Sequence, residues 1–83
     1  MNYDVVLSLD AVEDVLRITM ASDSKAAVVN SSKQLQDALR TDPADAGEHL
    51  SEGLYFIDRE PLRAFLTIDV TEISVEIVNV KQV

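Results

Sequence analysis

The apolar residues change their spacing along the chain, and each change marks an element. Tyr3-Asp-Val-Val-Leu7 is short and rich in β-formers, which predicts an opening strand. It runs into Ser8-Leu-Asp10, a helix-start signature. Ser8 or Asp10 can cap, and Asp10, Glu13 and Asp14 suit the positive end of a helix dipole. Ala11, Val12, Val15, Leu16 and Ile18 then make a wide apolar stripe at helical spacing, with Glu13 and Arg17 four apart in the favourable order for an exposed pair. Ala21-Ser-Asp-Ser24 breaks the pattern and offers new caps. A second helix is predicted over residues 24–40, with Val28, Ser31 or Ser32, Leu35 and Leu39 on one face and Lys33, Gln36, Asp37 and Arg40 on the other. Pro43 ends it by pushing residue 42 out of the helical region.

Residues 42–53 are polar, carry glycines at 47 and 53, and predict a loop. From there the period becomes that of strands. Leu54 to Asp58 is the first, and Arg59-Glu-Pro61 turns the chain. In the second, Leu62, Ala64, Leu66 and Ile68 alternate with Arg63, Phe65, Thr67 and Asp69. After a turn at Asp69-Val-Thr-Glu72, the last strand changes phase, since Val75 and Ile77 are followed by Val78 and Val80. That implies a bulge or a central strand covered on both faces. The expected fold is therefore α+β, a small single domain over residues 1–83 in the order β-α-α-β-β-β. A helical hairpin packs on one face of a mainly antiparallel sheet. The other face is left open, and a functional surface would sit there.

Composition narrows the chemistry. An 83-residue chain that is 47% hydrophobic can bury one small core, and with no cysteine it has no disulfide or thiolate metal site. The first residues lack a basic, apolar leader and no stretch approaches the ~20 apolar residues of a membrane span, so the expected setting is cytoplasmic with no membrane contact. The net charge is −8, and most of it falls in residues 42–83. There Asp42, Asp45, Glu48, Glu52, Asp58, Glu60, Asp69, Glu72 and Glu76 face only Arg59, Arg63 and Lys81. Such a surface disfavours direct nucleic-acid binding and favours a protein partner with a basic patch.

A set of segments in fixed order carries a family likeness: Ser8-x-x-Ala11 after an opening strand, Leu39-Arg-Thr-Asp-Pro43 with Gly47, Gly53-Leu-Tyr55, Pro61-Leu-Arg-Ala-Phe65, and Val75-x-Ile77-x-x-Val80. Together they resemble the RelE/ParE toxin superfamily of bacterial toxin–antitoxin and plasmid-stabilisation systems, over nearly the whole chain. The resemblance implies a ribosome-dependent ribonuclease or an inhibitor of DNA gyrase, with an antitoxin whose tail covers the active face. It maps Arg63 onto the arginine of the middle strand, and Lys81 near the basic site after the last one. The first meander strand, where nucleases of the family place lysines, reads Tyr55-Phe-Ile-Asp58. The tail, usually basic with an aromatic or histidine, reads Lys81-Gln-Val83.

RNA cleavage by attack of a 2′-hydroxyl needs a base, an acid and cations for the phosphorane. The candidate catalytic residues are Arg63, Arg59 and Lys81. An ion pair from Arg63 to Asp58, Glu60 or Glu76 is the competing reading, and the excess of acids favours it. Tyr55, Phe56 and Phe65 are placed to stack bases or to pack the core and its rim. His49, the one histidine, sits among Asp45, Glu48 and Glu52. A solvated acidic loop accounts for it better than a metal site. Tyr55, Phe65 and His49 are the candidate binding residues; no metal and no cofactor is expected. The sequence thus points to a diverged toxin-like protein acting by protein binding, with an antitoxin and a gyrase or ribosome-associated target as partners. The alternatives are an active ribosome-dependent ribonuclease and a non-toxic interaction module, including a homodimer.

Overall fold

Ser8 both starts the first helix and ties it to the sheet. In the computed structural model, which describes residues 2–83, strand β1 (Asp4–Leu7) ends at this residue and helix α1 (Leu9–Ala21) begins after it. The Ser8 hydroxyl accepts from the Ala11 N–H at 3.1 Å and donates to the Val78 carbonyl at 2.8 Å. It thereby satisfies one of the orphan amides of the helix start. The apolar stripe of α1 divides in two. Ala11 and Ile18 are buried, with Val15 packed against the core, but Val12 and Leu16 are exposed together with Leu9 and Met20. The expected Glu13–Arg17 pair is also replaced. Arg17 donates to Asp14 at 2.8 Å, and the other oxygen of Asp14 accepts from the Val80 N–H at 3.0 Å.

Ser24 caps helix α2 (Lys25–Thr41), accepting from the Ala27 N–H. Its buried face is Val28, Ser31, Leu35 and Leu39, so of the two serines it is Ser31 that turns inward. The Ser31 hydroxyl donates to the Glu60 carbonyl, which satisfies it inside the core and fixes the turn that follows β3 against the helix.

The segment expected to be a loop contains two elements. Asp42 caps a short helix α3 (Pro43–Ala46), and strand β2 (Glu48–Ser51) follows. Gly47 joins them where a Cβ would lie 3.1 Å from the Phe56 carbonyl oxygen, a closeness that admits only glycine without a shift. The remaining strands are β3 (Leu54–Arg59), β4 (Leu62–Asp69) and β5 (Ser74–Gln82). They form one five-stranded sheet in the order β1-β5-β4-β3-β2, with β1 parallel to β5 and the other pairs antiparallel. The order is thus β-α-α-α-β-β-β-β, one short helix and one strand more than the pattern predicted.

The phase change in β5 is a bulge. Phe65 pairs with Asn79 while Leu66 pairs with Ile77, leaving Val78 as the extra residue. Val75, Ile77 and Val80 therefore all face the helices and are buried, along with Leu62, Ala64 and Leu66 of β4. Without the bulge, strict alternation from Ile77 would turn Lys81 into the core. With it, Lys81 stands on the open face opposite Arg63. Helix α1 holds this kink from both sides, through Ser8 on the Val78 carbonyl and Asp14 on the Val80 N–H.

Asp14 carries the greater share of that clamp, because a hydrogen bond to a charged acceptor contributes about 1.5–3 kcal/mol. Asp14→Ala is expected to cost about 2 kcal/mol, on the order of 10 °C in thermal midpoint for a domain of this size. The backbone N–H of Val80 first, and Arg17 second, hold the Asp14 carboxyl below its ordinary 3.8, against the opposing effect of burial. A depressed carboxylate stabilises the fold above its ordinary value, and that stability is lost as pH falls through the lower folded value. Melts at descending pH should show this acid limb in the wild-type protein and a flatter one in Asp14→Ala.

Candidate functional site on the open sheet face

The face of the sheet away from the helices carries two chemically different ends. At one end the β3–β4 hairpin pairs Asp58 with Arg63 and Phe56 with Phe65, and β5 sets Lys81 opposite Arg63. Arg63 binds both oxygens of Asp58, Nε at 2.6 Å and its terminal nitrogen at 2.8 Å, in the fork geometry of a guanidinium on a carboxylate. Its guanidinium carbon lies 4.6 Å from the centre of the Phe56 ring, and the Lys81 ammonium lies 5.6 Å from that of Phe65. The two rings are tilted against each other with centres 6.5 Å apart. Glu48 of the edge strand sits opposite Phe56.

The electrostatics of this end are nearly closed. The hydrogen bonds from Arg63 hold the Asp58 carboxyl below its ordinary value, against a smaller opposing effect of burial. In return Asp58, and more weakly the charge of Glu48, push Arg63 further up. Both groups move away from neutral pH, opposite to what proton transfer requires. Arg63 and Lys81 are balanced locally by Asp58 and Glu48, so the patch offers aromatic surface and hydrogen-bonding heads with little net charge.

The other end is acidic. Val6, Thr67, Asp69, Ser74 and Glu76 line a depression of about 290 Å³ across β1, β5 and β4. Glu76 lies opposite Thr67 and not beside Arg63, so of the acids that competed for that arginine it is Asp58 that holds it. The face therefore has one end where its cations are balanced by Asp58 and Glu48 and another where Asp69 and Glu76 stand without a basic partner among the described residues. Composition alone averages this away.

The candidate residues are not all gathered here. Arg63, Phe65 and Lys81 share the open face. Arg59 lies opposite the buried Leu62 on the helix side of the sheet and donates to the Asp58 carbonyl at 2.7 Å. Tyr55 pairs with the buried Leu66 and packs against the core, and His49 pairs with Tyr55. The His49 and Tyr55 rings meet edge to face at 5.2 Å on the helix side. Phe56 belongs to the open-face group although it was not among the candidate binding residues. Among the described residues no cluster of three or more histidine and carboxylate side chains is arranged to hold a metal ion. Nor is any helix among them long and apolar enough to cross a membrane.

No family model and no curated protein matches the chain by sequence. Solved structures do match it by shape. A chain of the RelBE2 toxin–antitoxin complex from Mycobacterium tuberculosis superposes with a TM-score of 0.84 at 19% identity, covering 100% of both chains. The archaeal RelE–RelB complex from Pyrococcus horikoshii gives 0.73 at 16% identity, over 99% of this chain and 96% of that one. The chromosomal ParDE toxin–antitoxin system of P. aeruginosa gives 0.72 at 13%, over 98% and 96%. The chain has the fold of the RelE/ParE toxin superfamily.

Proposed function

We propose that this chain is the toxin-fold member of a toxin–antitoxin type pair, diverged so that it works by binding protein and not by cutting RNA. The observation that carries this reading is the bidentate Arg63–Asp58 pair. The arginine that would meet a phosphate is already held by a carboxylate, and the two groups have pKa values driven apart and away from neutrality. The likeness to chains from toxin–antitoxin complexes supports an antitoxin as one partner. The net charge of −8 supports a basic surface on a partner, which for the target would be gyrase or a ribosome-associated protein.

A second reading draws on the adjacency of Arg63 and Lys81 over Phe56 and Phe65, where a base can stack and a phosphate can be reached. In that reading a substrate phosphate displaces Asp58 and the chain is a ribosome-dependent ribonuclease. The two separate in one assay. Incubated with messenger RNA on ribosomes, the wild-type protein is expected to leave the message whole.

A further inference from the structure

Helix α1 is apolar on the side it turns to the sheet and apolar again on the side it turns away. Ala11 and Ile18 are buried, while Leu9 (74% exposed), Val12 (40%), Leu16 (58%) and Met20 (77%) form a second stripe at spacings of three and four on the opposite side. A helix apolar on both sides belongs between two layers, and here the outer layer is missing. We infer that a second copy of this chain supplies it, through an antiparallel α1–α1 contact about a two-fold axis close to residue 15.

The charges beside the stripe select a second copy. Glu13 and Arg17 lie on the same flank of the stripe, one turn apart. In a two-fold antiparallel pair, the same flanks of the two helices meet and run in opposite directions. Glu13 of each copy then stands level with Arg17 of the other, forming two symmetric ion pairs, and Leu16 packs between Val12 and Leu16 of its mate. Arg17 donates one N–H to Asp14 on the sheet side of this flank, and its remaining N–H donors are the ones that reach across to Glu13 of the other copy. Helix α1 carries Asp10, Glu13 and Asp14 against Arg17, so the two ion pairs also offset the repulsion between two acidic helices. The contact also leaves the open sheet face uncovered, so a dimer can still bind its partners.

One helix per side buries well under the ~800 Å² per partner of a standard interface, so dissociation is expected on the order of 100 µM. Sedimentation velocity from about 5 µM to about 1 mM should show the mass rise from monomer to dimer across that range. Leu16→Glu, at an exposed position that leaves the core intact, should remain monomeric throughout. Arg17→Glu should weaken dimerisation about fivefold or more, because the new carboxylate of each copy then faces Glu13 of the other. The swapped double variant Glu13→Arg/Arg17→Glu should restore it. A wild-type protein monomeric up to about 1 mM overturns the inference. So does a dimer that ignores Leu16→Glu, or one weakened by Arg17→Glu that the swap does not restore. Wild-type protein that stays monomeric but binds a basic amphipathic peptide through Leu16 would assign the stripe to a different partner and reject the second copy.

Discussion

Leu66→Ala is expected to destabilise the domain by about 3–4 kcal/mol, while Phe65→Ala beside it costs about 1 kcal/mol. The neighbours differ chiefly in which face of β4 they occupy. Leu66 has no solvent exposure, stands in the middle strand of the sheet and is flanked by Tyr55 on β3 and Ile77 on β5. It also borders the bulge, where the backbone is tied to α1 and has little freedom to collapse into a void. Phe65 is half-buried on the open face and loses mainly its contacts with Phe56 and Lys81. For a domain of this size the larger loss corresponds to roughly 15–25 °C in thermal midpoint and the smaller to about 5 °C. Urea titration of both variants gives the comparison directly. Equal losses would mean that the face bearing Phe65 is covered, and that the open surface does not exist.

Asp58→Asn is expected to raise affinity for a polyanion about tenfold at low salt, with little change in stability. The substitution keeps the size of the side chain and removes the charge that holds Arg63. The end of the face that carries Arg63 and Lys81 then gains a net positive charge next to Phe56 and Phe65. One unit of charge at a few ångströms in a surface environment contributes about 1–2 kcal/mol, hence the order-of-magnitude gain. The pair itself is partly exposed, so its loss costs little folding energy. Fluorescence anisotropy with a labelled single-stranded RNA, at about 50 and 200 mM salt, reads both the gain and its screening. An affinity that does not change would show that Arg63 is not the limiting cation on this face.

Much of the fold is legible in the sequence because short-range signals carry it. Ser8 and Ser24 stand where the helices start, Pro43 where α2 has ended, and the clean alternation of Leu62 to Asp69 marks β4 and its buried side. The adjacent Ile77 and Val78 of β5 announce the bulge that the structure contains. Strand β2 is hidden because Glu48-His-Leu-Ser51 is exposed throughout, so no face imposes an alternation. The helix of Pro43 to Ala46 is one turn long and leaves no period to read. The outer stripe of α1 reads as core in the sequence, since a pattern of apolar residues does not say which of two sides is covered.

The site is legible residue by residue but not as an arrangement. Arg63 and Lys81 stand out as cations in an acidic segment, yet their adjacency depends on the bulge. The separation of Arg59, His49 and Tyr55 onto the helix side depends on register. Asp58 as the partner of Arg63 could be read more sharply. A hairpin turning at Glu60-Pro61 places residues 58 and 63 directly opposite each other, and cross-strand carboxylate–arginine pairs are favourable. The acidic end needs the strand order, because Glu76 meets Thr67 across β5 and β4, and Val6 joins them only through the parallel pairing of β1 with β5.

The measurement that bears most directly on the central claim is cleavage of ribosome-bound messenger RNA by protein added well below the ribosome concentration, comparing wild type with Arg63→Ala. With Arg63 held by Asp58, neither protein is expected to cut the message. Repeated turnover by the wild type, lost in a folded Arg63→Ala variant, would contradict the account and make the open face a nuclease site.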